Sequence, residues 1–322
     1  MCEHVEPRDS LAGSQTSLNI RSLDWRTPQV RGYLAMVVAS LCFSVMGVGV
    51  RLARDGFSLP QLVVVRGTVA ICMLLPWALT HRSALGGNAR FWLVARALVG
   101  TLAVYGNFYA LQTIPLGTAT VLNQTSPVFA VLLVWGLFGR RPQPVNVVAV
   151  VTAITGTILI FKPWAPNIHV WGWLAGLASG FFAAIAFIAI RRMRFSERPE
   201  VIVLWFSVIS ASLSLPFCGS DPWPVSLTVW AYGVLAGLGA YGGQWFMVRS
   251  FAYLTATAGS TAGLLGSVFA VGWGILLFGE VMAGWEWLGI VLVIGSGMVP
   301  ALIVGNRQLA EKPSPFRWQP RN

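Results

Sequence analysis

Ten apolar stretches of about 20 residues each, separated by short polar connections, limit the folds open to this chain. A membrane-spanning α-helix needs roughly 20 consecutive apolar residues, so the spacing predicts ten transmembrane helices. Apolar residues make up 56% of the 322 residues and charged residues 10%, whereas soluble domains carry about 25% charged residues. We therefore expect an all-α membrane protein. The stretches are 32–53, 59–79, 91–112, 116–138, 144–161, 171–190, 200–219, 226–248, 255–278 and 286–304.

The basic residues indicate how the helices are oriented. With the N-terminus placed in the cytoplasm, 17 of the 22 Lys and Arg residues fall on cytoplasmic segments and three on outer segments. Cytoplasmic loops of membrane proteins are enriched in Lys and Arg, so we expect the tails 1–30 and 305–322 both to be cytoplasmic. We expect the protein itself to lie in the inner (plasma) membrane. We expect no nucleic-acid partner, because the basic residues lie between apolar runs and not on a folded polar surface.

The second half of the chain repeats part of the first. Val-Phe-Ala-Val at 128–131 recurs at 268–271, and Leu-Phe-Gly at 137–139 recurs at 277–279, both with a shift of 140 residues. Each half holds five predicted helices, an odd number, so the second half enters the membrane from the opposite side. This predicts two inverted five-helix repeats with a substrate site between them near the midplane. The repeats are 31–161, with helices 1–5, and 171–304, with helices 6–10.

Six local patterns, taken in their order and spacing, resemble a known family. They are Val65-Arg66-Gly67, Arg96-Ala97-Leu98-Val99-Gly100, Phe108-Tyr109-Ala110-Leu111-Gln112, Thr118-Ala119, Ser126-Pro127-Val128-Phe129 and Leu277-Phe278-Gly279-Glu280. The chain between 31 and 304 resembles the drug/metabolite transporter superfamily, specifically its EamA-type ten-helix permeases. One departure is Arg140-Arg141, where the family usually has a second Gly-Glu. The resemblance implies transport of small organic solutes by alternating access.

Polar side chains at the predicted midplane are candidates for the substrate site. Such residues usually face the bundle interior or a wet cavity, because an unpaired polar group in hydrocarbon is costly. The donors and acceptors of an amide are hard to satisfy by packing alone, so the adjacent amides of helix 4 are the strongest candidates. We predict a path lined by helices 1, 3, 4, 6, 8 and 9. The predicted substrate-binding residues are Arg66, Tyr105, Asn123, Gln124, Tyr241, Gln244 and Trp245.

Small and hydroxyl residues also share faces on helices 1 and 9. Such residues let helix backbones approach closely, and serines can bond to the preceding turn. We therefore favour packing over a substrate contact for this set. Its members are Ser40, Ser44, Ser260, Gly263 and Ser267.

Three charged residues lie within or next to the predicted helices, and the location of each side chain is considered separately. Arg66 has no acidic partner nearby in the sequence: it either extends to the outer headgroups or faces the interior as a fixed charge that could meet a carboxylate or phosphate. Arg96 lies close to the inner boundary, and we expect it to extend to the inner headgroups. We expect Glu280 at the outer rim, where it is solvated or held in a structural pair.

The sequence holds no pattern of catalytic chemistry. His4, His81 and His169 are too dispersed to bind a metal, and neither HExxH, GxSxG nor a P-loop is present. We expect no enzyme activity, no cofactor and no metal. No Asp or Glu lies at the centre of a predicted helix, so a carboxylate-based proton relay has no support.

These observations predict a secondary transporter for a small organic metabolite, such as an amino acid, vitamin, nucleoside-like compound or drug. Its partners are that solute and the membrane lipid, and a homodimer stays open as an oligomeric state. The alternative is a membrane scaffold or regulatory protein that transports nothing, although the short tails offer little docking surface. An ion-conducting pore would need rings of charge or a row of exposed carbonyls, and the sequence shows neither.

Overall fold

A computed structural model shows the chain as a bundle of α-helices. The structure describes residues 28–138, 148, 151–152, 154–156, 158–159, 169–193, 195–219, 221–254, 259 and 262–308. Within those residues no strand occurs. The helices bounded there are α1 (Pro28–Ala53), α2 (Leu59–Thr80), α3 (Arg90–Thr113), α4 (Leu116–Asn123), α5 (Ser126–Phe138), α6 (Val170–Met193), α7 (Pro199–Ser214), α8 (Leu227–Tyr253), α9 (Leu265–Phe278) and α10 (Gly284–Gln308).

The described part contains five helical segments long and apolar enough to cross a membrane. They are Val30–Ala53, Leu59–Thr80, Arg90–Thr113, Val170–Met193 and Pro199–Cys218, and shorter apolar helices lie at Leu265–Phe278 and Gly284–Ser296. The outer surface of the bundle is also apolar: Leu75, Leu102, Leu213 and Leu276 are all exposed. A surface of this kind suits lipid and not water. The chain is therefore a multi-pass membrane protein.

The helix bounds agree with most of the predicted stretches, with two differences. The fourth stretch forms two helices, α4 and α5, and not one. The ninth is interrupted by a turn at Leu264 before α9 begins. The fifth stretch, 144–161, lies mostly outside the described residues, as do 1–27 and 309–322. The prediction of exactly ten spans therefore stays a prediction.

Proline sets the start of several helices. Pro60 and Pro199 lie in the first turns of α2 and α7, and Pro127 in that of α5. A first-turn residue has no intrahelical acceptor for its N–H, so proline is tolerated there, and its fixed φ favours the helix. At α2 the backbone N–H of Ser58 also donates to Gln61 Oε1 at 3.0 Å, which satisfies a further donor at the helix start.

Antiparallel pairs of helices form the bundle, and glycines bring their backbones together. α1 packs on α8, α3 on α6, α2 on α7 and α4 on α9. A Cβ added at Gly49 of α1 would lie 2.7 Å from the backbone nitrogen of Ala236 in α8. A Cβ at Gly106 of α3 would lie 2.6 Å from the carbonyl oxygen of Ala175 in α6. Small residues at such crossings are typical of helix packing in lipid.

The pairing defines two sides of the bundle. α1 begins beside the end of α8, where Ser250 Oγ donates to the carbonyl oxygen of Gly32 at 2.8 Å. α3 begins beside the end of α6, where the carboxylate of Glu197 accepts the backbone N–H groups of Asn88 and Ala89. We call this the near side. The far side is the opposite one, where α1 ends.

Candidate functional site

The break between α4 and α5 places polar groups inside the bundle. α4 ends at Asn123, and Gln124 follows with φ −76° and ψ 4°. The backbone N–H and the hydroxyl of Thr125 both donate to the carbonyl oxygen of Leu122, at 3.2 and 2.7 Å. Because Pro127 lacks an N–H, a continuous helix would leave the Asn123 carbonyl without its donor. The local sequence therefore favours ending one helix and starting another here.

A second interruption lies opposite the first, at Leu264. Gln124 Nε2 donates to the carbonyl oxygen of Gly263 at 2.6 Å, and Ser40 Oγ donates to the same oxygen at 3.2 Å. Gly266 lies close by, because a Cβ there would be 3.1 Å from Gln124 Nε2. The carbonyl oxygen freed by the interruption is thus satisfied by side chains from α1 and from the α4–α5 junction. The two interruptions are in direct contact.

A cavity of about 130 Å³ lies beside this contact. One water needs about 10–15 Å³ of such space, so the cavity can hold several waters or a small solute. Its lining combines polar groups with methionines and aromatic rings. The lining residues that bear on function are Met36, Ser40, Phe43, Ser44, Met46, Arg66, Arg96, Asn107, Thr120, Asn123, Gln124, Phe187, Phe206, Gln244, Met247 and Phe251.

Two buried arginines meet at one phenylalanine in the cavity wall. Arg66 and Arg96 are 3% and 2% exposed. Their guanidinium carbons lie 4.5 and 3.8 Å from the ring centroid of Phe206. Arg96 Nη2 donates to Gln244 Oε1 at 2.6 Å, and Arg66 Nη2 to Ser210 Oγ at 3.4 Å. Helices α2, α3, α7 and α8 together build this cluster.

The hydrogen bonds of the two arginines are incomplete. Arg66 Nε, Arg96 Nε and Arg96 Nη1 are buried and without a partner. None of the ion pairs among the described residues includes either arginine. Burying an ion costs several kcal/mol, of which a desolvated cation–π contact offsets about 2 kcal/mol. The cluster therefore carries two positive charges that the described part of the chain does not neutralise.

Four of the seven predicted site residues line the cavity: Arg66, Asn123, Gln124 and Gln244. Of the two positions proposed for Arg66, the structure has the interior one. Asn123 Nδ2 donates to Ser179 Oγ at 2.9 Å, which links the α4 break to α6.

The other three predicted residues lie outside the lining. Tyr105 and Tyr241 are half-buried and pack against the apolar core. Trp245 donates from Nε1 to Glu200 Oε1 at 3.3 Å and stacks under Arg249. Helical spacing identified residues that share a face, but it does not say which face meets the cavity.

Arg96, Asn107 and Phe206 line the cavity but were not among the predicted site residues. The expectation that Arg96 extends to the headgroups is wrong, because the side chain is buried against Phe206 and Gln244. Gly100, one turn further along α3, allows this packing, since a Cβ there would lie 3.0 Å from the Phe206 ring. The Arg96–Gly100 pattern was visible in the sequence, but neither partner of Arg96 is near it in the chain.

An ion pair joins helices on the far side of the bundle. Glu280 Oε1 lies 3.3 Å from Arg51 Nη2 and accepts the backbone N–H of Leu116 at 2.7 Å. Arg51 Nη1 donates to the carbonyl oxygen of Ile114 at 2.6 Å. A carboxylate at the start of α4 also interacts favourably with the helix dipole. Of the two options for Glu280, the structure therefore shows the structural pair.

The cavity lining runs along the bundle on both sides of the helix interruptions. On α1 and α3 it reaches Gly47 and Leu111, in the halves of these helices that end on the far side. On α8 it is lined by Gln244, Met247 and Phe251, all in the half that ends on the near side. On α6 it is lined by residues from Ala183 to Ile190, again in the near-side half. The Arg51–Glu280 pair lies at the other end of the bundle.

Comparison with known proteins gives consistent matches over most of the chain. A sequence model of the EamA-like transporter family matches residues 30–162 and 170–299. The pseudopaline exporter CntI of Pseudomonas aeruginosa strain UCBPP-PA14 is 31% identical over 267 residues, which is 82% of this chain and 93% of that protein.

Two more distant relatives and one structure extend the comparison. Human solute carrier family 35 member G1 is 25% identical over 84% of this chain and 79% of its own length. A riboflavin transporter of Rhizobium johnstonii is 25% identical over 88% of this chain and 94% of its own. A solved crystal structure shares the fold with a TM-score of 0.58 at 21% identity, over 88% of this chain and 99% of that chain.

Proposed function

The chain belongs to the EamA-like transporter family, and from that premise we propose that it is a secondary transporter that moves a small organic metabolite by alternating access. Relatives named as transporters support the transport of small molecules and not an enzymatic activity. One of them is named for pseudopaline and another for riboflavin, so the relatives do not select one substrate for this chain.

Two inverted five-helix repeats, 31–161 and 171–304, form the proposed architecture. In such a repeat, α1 corresponds to α6, α2 to α7 and α3 to α8. The contact between α1 and α8 then corresponds to the contact between α6 and α3, and the contact between α2 and α8 to that between α7 and α3. Both members of each correspondence occur among the helix contacts. The family model also matches twice, once in each half. These observations support an inverted repeat, which is a common architecture of secondary transporters.

The cavity between the halves is the observation that carries the proposal. It lies where two interrupted helices meet, and such interruptions in transporters expose backbone and polar groups to the substrate. We assign substrate contacts to Arg66, Asn123, Gln124 and Gln244, which line it.

The conformation described above corresponds to an inward-facing state in this proposal. The cavity lining includes residues close to the near-side ends of α6 and α8, a side that the excess of Lys and Arg assigns to the cytoplasm, and the Arg51–Glu280 pair holds helices together on the far side. Alternating access requires that this pair separates when the outer face opens. Both chain ends would lie in the cytoplasm, and the protein in the inner membrane.

Substitution of the cavity amides tests the assignment. Asn123→Leu and Gln244→Leu remove hydrogen-bonding groups from the lining, and we expect each to lower solute flux about tenfold, equivalent to about 1.4 kcal/mol. Candidate solutes are first identified by comparing the metabolites of cells that overproduce the protein with those of cells that lack it. The flux of these solutes is then measured in each variant. Tyr241→Phe is the matched control, because it removes a polar group outside the lining.

The outcome of that experiment separates the transporter from a non-transporting scaffold. Flux that falls in both amide variants but not in the tyrosine variant, at equal amounts in the membrane, supports the proposal. Unchanged flux in both amide variants removes them from the site. A chain whose overproduction changes the distribution of no solute would favour the scaffold.

A further inference from the structure

The two buried arginines indicate the chemical class of the ligand that the cavity would bind. Arg66 and Arg96 are fully buried, line the cavity and share the ring of Phe206. Three of their nitrogen atoms are buried without a hydrogen-bond partner. Hydrogen bonding in folded proteins is otherwise nearly complete, so these N–H groups require an acceptor that the described residues do not supply.

The chemistry of the missing acceptor follows from the donors. A guanidinium offers a planar set of N–H groups that match carboxylate and phosphate oxygens, and such charged hydrogen bonds are among the strongest in proteins. Gln244 Oε1 accepts only from Nη2 of Arg96, and Nε and Nη1 are buried without an acceptor. An anionic group in the cavity between Arg66 and Arg96 would supply an acceptor to these guanidinium groups and reduce the repulsion between the two charges.

The remainder of the lining defines the body of the ligand. Met36, Met46, Met247, Phe43 and Phe187 contribute apolar surface to the same cavity. Methionine adapts its shape to irregular apolar groups. An inorganic anion would use the arginines but leave this surface unfilled.

We propose that the transported solute is an organic anion whose carboxylate or phosphate head binds between Arg66 and Arg96 while its apolar body packs on the methionines and phenylalanines. This deepens the proposed transport function and rests on it. It adds Arg96 to the substrate-binding residues, and the Oε1 atom of Gln244, itself a proposed substrate contact, also positions the Arg96 guanidinium.

Binding is tested on purified protein in dodecyl maltoside with three related probes. Benzoate and phenyl phosphate carry the two candidate heads, and benzamide is a neutral analogue of benzoate. We expect at least one anion, but not benzamide, to raise the Tm of the wild-type protein. The response to each anion shows which head the site prefers. No preference for either anion over benzamide would overturn the proposal.

Variants separate ligand binding from a structural role. Arg96→Gln and Arg66→Gln should abolish the anion-induced rise in Tm, while the Tm without probe stays equal or increases, because each removes an uncompensated buried charge. Arg192→Gln is the matched control, since Arg192 also stacks on an aromatic ring, Trp92, but is exposed and outside the lining. A lower Tm without probe, combined with a retained response to anions, would overturn the proposal.

A lipid headgroup is the competing source of a phosphate. Repeating the measurement in vesicles containing phosphatidylglycerol distinguishes the two, because a solute site keeps its response to the probes there. A response present in detergent but lost in these vesicles would assign the arginines to lipid and overturn the proposal.

Metabolite profiles of cells separate this proposal from the transport function itself. We compare cells that produce the wild-type protein, Arg96→Gln, Arg192→Gln or no transporter. Organic anions redistributed by the wild type and Arg192→Gln, but not by Arg96→Gln, support the proposal. Neutral or cationic solutes redistributed equally by all three proteins would overturn the anion assignment and keep the transporter. No redistribution by the wild type would overturn the proposed function itself.

Discussion

At the scale of single residues, the charged groups of the bundle fall into two kinds. Arg51 and Glu280 neutralise each other and also satisfy backbone groups where α3 ends and α4 begins. Arg66 and Arg96 have aromatic and amide contacts but no acid among the described residues. Removing one member of a buried pair leaves the other charge uncompensated and is strongly destabilising, so the fold depends on the first kind. The second kind is available for a ligand.

The Arg51–Glu280 pair makes a prediction about stability. Glu280→Gln leaves Arg51 largely buried without its counter-ion, and we expect the free energy of unfolding to fall by about 3 kcal/mol. Thermal or denaturant unfolding in detergent measures the change. Asp55→Asn is the control, since Arg54 and Asp55 form an exposed pair whose loss costs less than about 1 kcal/mol. Equal effects of the two substitutions would contradict the structural role of Glu280.

The residue scale is also where the sequence was least informative. Asn123 and Gln124 were identifiable because two adjacent amides in an apolar stretch need partners. Arg96 was not, because its burial depends on Phe206 and Gln244, which come from other helices far along the chain. Tyr105 and Tyr241 share helical faces with other predicted polar residues and yet lie outside the cavity lining. Contacts with other helices, and not spacing along one helix, decide which face meets the cavity.

At the scale of elements, hydropathy predicted where helices lie and missed where they are interrupted. The bounds of α1, α2, α3 and α6 lie within a few residues of the apolar stretches, because burying a backbone in lipid requires a helix about as long as the hydrocarbon is thick. The α4–α5 break coincides with the short polar run Asn-Gln-Thr-Ser-Pro at 123–127, which is too brief to divide the apolar stretch in two. Thr125 satisfies the freed carbonyl of Leu122 locally, whereas Gln124 bonds to Gly263, far along the chain.

Helix packing makes the prediction that belongs to this scale. Gly49→Ala places a methyl group within 3 Å of the α8 backbone, which must then move away, and we expect a loss of about 1–3 kcal/mol. Unfolding of the purified protein in detergent measures it. Gly272→Ala in α9 serves as the control, because a Cβ there meets nothing within 4 Å. A similar loss at both positions would contradict the role of the α1–α8 crossing, since helix propensity alone favours alanine over glycine.

At the scale of the whole molecule, the basic residues are concentrated on the near side, and the part of the cavity lining on α6 and α8 lies toward that same side. The sequence predicted the orientation from 17 Lys and Arg residues on one side, but it carries no record of which end of the bundle is open. That property depends on small differences between alternative packings of the same helices. We propose the inward-facing state from the near-side part of the cavity lining and the ion pair on the far side.

Accessibility labelling tests this arrangement. In a chain whose four native cysteines are replaced by alanine, Thr120→Cys in the cavity lining should react with a membrane-impermeant thiol reagent from the cytoplasmic side and not from outside. Inside-out and right-side-out vesicles give the two measurements. Cysteines introduced at positions 10 and 315 report the two tails and should both react from the cytoplasmic side. Tails on different sides would contradict the even number of spans.

The carbonyl oxygen of Gly263 accepts from both Ser40 and Gln124, so segments from three parts of the chain are joined at one atom. The Arg51–Glu280 pair lies farther along the bundle, on the far side. In the proposed alternating access, a joint between the two ends would act as a pivot: tilting that widens one entrance would narrow the other, so that the two entrances are not open at the same time.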